Sequence, residues 1–164
     1  HNDVESLEMT QQHGSIVMLF LEPEDDHEAR FSALFCAAAA LADGKIDVDT
    51  FTEEKVKDPV IKRTMDKIRI NVRSRWHESR DDYSAGIPVK IRLKDGKVLE
   101  HRTPVSQIFG GPLNPWHVNA ILDKFRENAA MALPESMVEP ALQTWVKIDE
   151  VKDLAPAVKT LVAK

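Results

Sequence analysis

The sequence predicts an α+β fold, in which a mostly antiparallel sheet of about four strands packs against a long buried helix and C-terminal helices. Three observations support this prediction. Residues 27–44 are nearly all apolar, residues 67–73, 87–93 and 97–105 alternate between apolar and polar side chains, and amphipathic helical patterns follow Pro115. An apolar run at helical spacing is typical of a buried helix, and period-two alternation is typical of strands with one wet face.

The N-terminal part predicts one strand and a connection. Residues 3–10 read as a short strand, and residues 11–26 as the segment leading to the central helix. Residues 16–21 are apolar enough for a strand, but Pro23 and the acidic run 22–26 stop that pattern.

Residues 27–44 contain no proline and no β-branched residue, and alanine and leucine are strong helix formers. Asp25 followed by Glu28 predicts a capping box, and Gly44 can take the left-handed conformation that ends a helix. The predicted helix has a large apolar face and a small one: Phe31, Leu34, Phe35, Ala38 and Leu41 against Ser32, Cys36, Ala39 and Ala40. The small face would let backbone, another helix or a ligand approach closely, and plain core packing is the more common of these roles.

Helix signals continue over residues 51–58, with Thr50 or Thr52 as the N-cap, and Pro59 restarts the helical pattern. The strand 67–73 then places Ile68, Ile70 and Val72 on one face. Residues 74–86 are charged and irregular and read as a loop.

Asp95-Gly96 predicts a hairpin between strands 87–93 and 97–105. A two-residue loop would place Glu100 on the apolar face. We therefore favour a three-residue loop over 95–97, which pairs Leu93 with Leu99 and sets His101 opposite Ile91 on the apolar side. A histidine in such a position is more often a core residue than a catalytic one.

Residues 106–115 contain two adjacent glycines, Gly110 and Gly111, followed by Asn114 as an N-cap and Pro115 as the first helical residue. Exposed amides at such a turn can hold a carboxylate or a phosphate, although a tight turn feeding a capped helix is the more common arrangement. Two further amphipathic helices are predicted over residues 135–147 and 149–162.

Length and composition predict a single α+β domain over residues 1–164 with a hydrophobic core. A net charge of −5 argues against general nucleic-acid binding. One cysteine, Cys36, excludes an internal disulfide and fits a cytoplasmic protein. We expect no signal peptide and no membrane span, and a chain that begins with His1 suggests an excised domain.

The residues alone predict neither a catalytic group nor a metal site. The six histidines are scattered without the spacing of a metal pair, and no nucleophile or phosphate-binding motif is present. A basic strip is predicted on the wet face of the sheet, which most often is only a solvated surface: Arg69, Arg73, Arg75, Lys90, Arg92 and Lys94.

Several segments in order resemble the C-terminal domain of the MmgE/PrpD family. They are VESLEM, EARFSALFCAAAALADG, FTEEKVKDPVIKRTMDKIRI, IPVKIRLKDGKVLEHRT, and FGGPLNPW with the later DKF. The family includes 2-methylcitrate dehydratases, cis-aconitate decarboxylases and an iminodisuccinate epimerase. The resemblance implies the smaller, capping domain of a two-domain enzyme whose catalytic groups lie mostly in an N-terminal helical domain, absent here.

The resemblance further implies cofactor-independent lyase or isomerase chemistry on a di- or tricarboxylate, similar to 2-methylcitrate dehydration. The implied partners are the helical domain of the same parent protein, a small carboxylate substrate and a second copy in a homodimer, but neither nucleic acid nor membrane. This chain by itself is then expected to be inactive. The alternative function is a stand-alone interaction module that binds an acidic or helical partner, and the sequence upstream of His1 would separate the two.

The resemblance places six residues near the substrate pocket: Ser32, Phe35, His101, Gly110, Gly111 and Asn114. Phe35 stands where the decarboxylase branch has a tyrosine. Because phenylalanine lacks the hydroxyl, one donor for a substrate carboxylate or a proton relay is lost. We therefore expect dehydration or epimerisation in preference to cis-aconitate decarboxylation.

Overall fold

The structure is a computed structural model that describes residues 2–12, 20–73, 86–107 and 118–162. The chain divides into two compact units, residues 1–108 (unit 1) and residues 109–164 (unit 2). The single domain that the sequence predicts over 1–164 stays a prediction.

Unit 1 contains a four-stranded sheet in the order β2-β1-β3-β4. Its strands are β1 (Val4–Gln12), β2 (Ile68–Arg73), β3 (Ile87–Leu93) and β4 (Val98–Thr103). β1 runs parallel to β2 and antiparallel to β3, and β3 runs antiparallel to β4. The predicted α+β class with a mostly antiparallel sheet is confirmed, with one parallel pair.

A β-bulge near the start of β1 changes which of its residues face the core. Val4 pairs with Leu93 and Leu7 pairs with Ile91, and the register shifts between Val4 and Ser6. One extra residue reverses the alternation of side chains along a strand. Val4 and Leu7 therefore lie on the same face although three positions separate them, and both are buried.

In the sequence, the helices of unit 1 come between β1 and β2. They are α1 (Asp26–Ala29), α2 (Ala33–Asp43), α3 (Glu53–Lys57) and α4 (Pro59–Met65), with a 3-10 turn at Val48–Thr50. The N-cap of α3 is Thr52, one of the two predicted caps. Pro59 begins α4, as its predicted restart of the helical pattern indicates, and Asp58, which was not predicted as a cap, is the N-cap.

The helix predicted over 27–44 is wrong as a single element, because the chain breaks at Ser32. Ser32 has extended dihedrals, and its Oγ accepts a hydrogen bond from the amide of Phe35 at 3.1 Å. Serine competes for backbone amides and favours such caps over helix interiors. The predicted caps are confirmed: Asp25 caps α1 through the Glu28 amide, and Gly44 ends α2 at φ +78°. The predicted capping box is only half formed, because the Glu28 carboxylate accepts the amide of Glu24 and not that of Asp25.

The core of unit 1 joins α2 to the sheet and to α4. Its buried side chains are those of Leu7, Ala29, Phe35, Ala38, Ala39, Val56, Ile61 and Ile68. The buried side of α2 takes residues from both predicted faces, and Phe31, which belongs to the predicted large face, is 47% exposed. Alanines at Ala38 and Ala39 let neighbouring elements approach α2 closely.

The β3–β4 hairpin has the predicted three-residue loop, but shifted by one residue to 94–96. Leu93 donates its amide to the carbonyl of Lys97 at 2.8 Å, and Gly96 takes φ +88°. The predicted loop would have put Lys97 at the last loop position, which needs a left-handed residue, whereas the observed loop puts glycine there. His101 consequently lies opposite Val89 and not opposite Ile91.

Unit 2 contains α5 (Val118–Ala130), α6 (Glu135–Val146) and α7 (Leu154–Lys159), with a 3-10 turn at Ile148–Glu150. A small core forms from Leu133, Val138 and Ala141. The helix predicted over 149–162 is shorter than expected, because Asp153 caps α7 and Pro156 falls in its first turn, where a missing amide costs little.

Two glycines with similar dihedrals allow a matched test of the hairpin packing. Gly86 has φ +82° and Gly96 has φ +88°. A Cβ on Gly86 would lie 1.8 Å from the carbonyl oxygen of Thr103, whereas a Cβ on Gly96 would meet nothing within 4 Å. We expect Gly96→Ala to lower the free energy of unfolding by about 1–2 kcal/mol, the cost of a left-handed non-glycine residue.

We expect Gly86→Ala to cost about 1–3 kcal/mol more, because the backbone of Thr103 must move. Urea denaturation of both variants measures the difference. Equal losses would show that Gly86 does not approach β4 closely.

Candidate functional site

Ser32 and Phe35, two of the predicted pocket residues, lie in the first turn of α2. Ser32 is fully buried, and its Oγ accepts the Phe35 amide, so this oxygen already serves as the helix cap. Phe35 is also fully buried, and its ring centroid lies 6.3 Å from that of Phe51. Within this chain neither side chain faces open space, and their contact with substrate stays a prediction.

His101 lies apart from this pair. It is on β4, one edge of the sheet, whereas α2 contacts β2 at the other edge. His101 lies opposite Val89 and therefore on the apolar face of the hairpin, which is the face that the sequence predicts for it. Its side chain is nevertheless exposed. The structure therefore does not bring His101 together with Ser32 and Phe35.

The other three predicted pocket residues, Gly110, Gly111 and Asn114, lie outside the described residues. The 3-10 turn at Val105–Gln107 precedes them, and α5 begins after them at Val118. Their predicted role as anion-binding groups stays a prediction.

A cleft of about 650 Å³ opens on the helical side of unit 1. Its apolar lining comes from α2, α3, α4 and β2 through Leu34, Val56, Met65 and Ile68, with Pro23 beside them. Its charged lining is Glu22, Glu24, Lys57, Lys62 and Asp66. Ligand-binding cavities commonly have volumes of roughly 300–1,000 Å³ and a mostly apolar lining with a few polar groups.

The sequence did not predict this cleft. Leu34 belongs to the predicted large apolar face, and Glu22 and Glu24 belong to the acidic run that stops a strand pattern. The other charged lining residues fall in or beside predicted helical segments. Lys62 and Asp66 are four residues apart and lie at the end of α4, so their common side could be read from helical spacing. That the apolar residues below them leave an open volume depends on how α3 and α4 pack, which spacing does not reveal.

The outward face of the sheet carries both signs of charge, and the predicted basic strip is only part of it. A shallow groove of about 180 Å³ on this face is lined by Glu8, Thr10, Asn71, Pro88, Lys90, Glu100 and Arg102. Lys90 and Glu100 form an exposed ion pair at 3.6 Å. Arg75 lies outside the described residues, as does the side chain of Arg73.

Cys36 is a poor candidate for a nucleophile. Burial raises the pKa of its thiol, against a smaller lowering by a backbone hydrogen bond, so the thiol is protonated at neutral pH. Its Sγ lies 3.8 Å from the carbonyl oxygen of Ala29, in the turn that joins α1 to α2. Cys36 therefore fits the structural role that its place in an apolar helix indicates.

Across residues 2–12, 20–73, 86–107 and 118–162, no three histidine, cysteine, aspartate or glutamate side chains group in a way that could hold a metal ion. The helices within those ranges are also too short or too polar to cross a bilayer.

Gln11 carries the one buried side-chain atom without a hydrogen-bond partner among the described residues, Oε1. Gln11 follows Leu7 and Met9 on the inward side of β1 and pairs with Val72. Burying an amide without a partner costs free energy. The alternation of β1 would identify Gln11 as a polar residue at an inward position, but the predicted strand ends at residue 10.

Comparison with known proteins gives one family match. A model of the MmgE/PrpD C-terminal domain matches residues 1–147. Cis-aconitate decarboxylase of Mus musculus is 28% identical over 139 residues, which are 85% of this chain and 28% of that protein. Cis-aconitate decarboxylase of Homo sapiens is 28% identical over 131 residues, which are 80% of this chain and 26% of that protein. The chain thus spans about a quarter of the length of these curated relatives.

The cap at Ser32 makes a testable contribution to stability. We expect Ser32→Ala to lower the free energy of unfolding by about 1 kcal/mol or more, because the Phe35 amide loses its acceptor in a buried site. Ser32→Thr, which keeps an acceptor oxygen, should recover part of that loss. Thermal denaturation measures both variants, with Ala40→Ser on the exposed side of α2 as the control. If Ser32→Ala had the same stability as the wild type, the cap would not contribute to the stability of the fold.

Replacing Gln11 should remove an unpaired buried group. We expect Gln11→Met to leave the free energy of unfolding unchanged or to raise it by about 1 kcal/mol, since methionine needs no hydrogen bond and has a similar length. Thr10→Met, on the outward face of the same strand, is the control. A loss of more than about 1 kcal/mol in Gln11→Met would indicate that Gln11 does have a partner in solution.

Proposed function

Because the chain belongs to the MmgE/PrpD family, whose C-terminal domain matches residues 1–147, we propose that it is the lid domain of a cofactor-independent lyase or isomerase acting on a di- or tricarboxylate. The single observation that carries this proposal is the extent of the match, which reaches from the first strand of unit 1 to the end of α6.

The proposal assigns the reactive groups to another part of the parent protein, a helical domain that this lid covers. Two observations support it. The curated relatives are about four times as long as the matched segment. In addition, Ser32, which is among the predicted pocket residues, already uses its oxygen for a cap.

The lid's own contribution would be to bind carboxylates and to exclude water. Proton transfer next to a carboxylate is favoured in a water-poor site with preorganised hydrogen-bond donors. We propose the amides of Gly110 and Gly111 and the side chains of Asn114 and His101 as such donors. For Ser32 and Phe35 we propose a different role, which is to hold the first turn of α2 in place.

Two kinds of reaction remain candidates, and a specific observation favours each. The absence of a hydroxyl at Phe35 favours dehydration, as of 2-methylcitrate, or epimerisation of a related polycarboxylate. Cis-aconitate decarboxylation is favoured by the two relatives, which are named for that reaction. Phe35 is fully buried in unit 1. The missing hydroxyl is therefore a weaker argument against decarboxylation in the structure than it is in the sequence.

The test is a substrate screen on the purified full-length parent. 2-Methylcitrate, citrate, cis-aconitate and iminodisuccinate are each incubated with the enzyme, and the products are followed by NMR. We expect turnover of at least one of them by the parent and none by the 164-residue chain, because the proton-handling groups are proposed to lie elsewhere. Turnover by the isolated chain, or by neither protein, would contradict the proposal.

Asn114→Ala in the parent tests the lid's part in binding. We expect kcat/KM to fall about tenfold, the value of one hydrogen bond to a charged group. The free energy of unfolding should fall by only about 1 kcal/mol, the cost of losing the predicted N-cap. Asn128→Ala, at an exposed position on α5, is the matched control and should leave kcat/KM unchanged.

A further inference from the structure

The cleft on the helical side of unit 1 combines an apolar floor with a charged rim. The floor consists of side chains from four different elements, namely Leu34, Val56, Met65 and Ile68. The rim consists of exposed charged residues, namely Glu22, Glu24, Lys57, Lys62 and Asp66. An apolar centre surrounded by a polar rim is the usual anatomy of a surface that binds another protein segment.

The rim carries an excess of negative charge that its own ion pairs do not remove. Lys57 already pairs with Glu53, at 2.6 Å between Nζ and Oε2. Within the described residues, the other four charged side chains of the rim form no ion pair, and this holds even for Lys62 and Asp66, which are four residues apart. Three carboxylates therefore accompany one unpaired ammonium group. Such a rim favours an occupant with positive charge, and a free di- or tricarboxylate has the wrong charge for it.

We propose that the cleft is the docking surface for a segment of the parent protein outside these 164 residues, and that this segment inserts bulky apolar side chains with lysine or arginine beside them. The inference rests on the part of the proposed function that makes this chain a lid over another domain. The curated relatives, which are about four times as long as the matched segment, have such additional chain.

The first turn of α2 connects the cleft to the region that the resemblance places near the substrate. Leu34 lines the cleft, and it lies between Ser32 and Phe35 in the sequence. Ser32 and Phe35 are predicted pocket residues, and the proposed pocket lies where the lid meets the other domain. A segment docked beside Leu34 would therefore contact the lid at the same end of α2, and would hold that end against the rest of the parent.

The volume of the cleft suits more than one side chain. It measures about 650 Å³, within the range of pockets that hold a drug-sized ligand. Apolar side chains buried in the floor would supply most of the docking free energy, whereas contacts with the exposed rim would mainly orient the segment. Docking should therefore loosen at high salt without being abolished.

Lysine acetylation measures whether the cleft is occupied, and it needs no substitution. Lys62 lies on the rim, and Lys94, in the β3–β4 loop, is the matched control. Both side chains are exposed, and neither forms an ion pair with another described residue. The 164-residue chain and the full-length parent are treated with N-hydroxysuccinimidyl acetate, and mass spectrometry follows each lysine. We expect the rate at Lys62 relative to Lys94 to be at least about tenfold lower in the parent, because reaction there requires the docked segment to open.

Charge reversal on the rim tests the chemistry of the occupant. Glu22→Lys combined with Glu24→Lys in the parent would place like charges against the basic residues of the segment. We expect the relative rate at Lys62 to rise at least about fivefold in this double variant. Glu8→Lys combined with Glu100→Lys makes the same change of charge on the outward face of the sheet, and should leave Lys62 protected. Circular dichroism verifies that the chain and every variant are folded.

The outcomes separate this proposal from the proposed enzymatic activity. If Lys62 reacts equally in the chain and in the parent, the docking surface is overturned even when the parent turns over a carboxylate. Protection of Lys62 in the 164-residue chain, either by itself or on addition of citrate, would also overturn it, because the chain or a substrate would then fill the cleft. Continued protection in the double variant would exclude a basic occupant. Protection in the parent without turnover of any acid would support the docking surface and overturn the proposed activity.

Discussion

The close packing of α2 against the sheet and α4 is the constraint on which unit 1 depends. Ser32, Phe35, Ala38 and Ala39 have almost no exposed surface, so this side of the helix is enclosed from its N-cap to Ala39. Small side chains at Ala38 and Ala39 let α4 and the sheet come close, and the cap at Ser32 fixes where the helix begins. Close-packed interiors respond to changes of a single methylene, so the first turn of α2 has little freedom to move.

Much of the fold could be predicted because its signals are local. The alternation of residues 67–73, the Asp-Gly hairpin, the cap at Thr52 and the helix restart at Pro59 each depend on a few neighbouring residues. The failures occurred where two local preferences compete. Ser32 lies in a run of helix formers, which favours one continuous helix, but its hydroxyl also favours an N-cap. The structure has the cap, because Ser32 is extended and accepts the amide of Phe35.

The site was less predictable than the fold, because it depends on what surrounds each residue. Sequence spacing placed Phe35 on an apolar face, but could not tell a core from a pocket wall. The cleft beside Leu34 results from how four separate elements pack, and no sequence motif predicts it. The family resemblance suggested the reaction and the pocket residues. The structure shows that two of those residues, Ser32 and Phe35, already hold the first turn of α2 in place.

The position of β1 in the sheet has a consequence for how the protein is made. β1 is synthesised first, yet it is an interior strand whose two neighbours begin at Ile68 and Ile87. During translation its apolar residues, such as Leu7 and Met9, stay unpaired until those later strands leave the ribosome. At roughly 5–20 residues per second this wait lasts several seconds, during which the unpaired β1 segment is a natural client for chaperones.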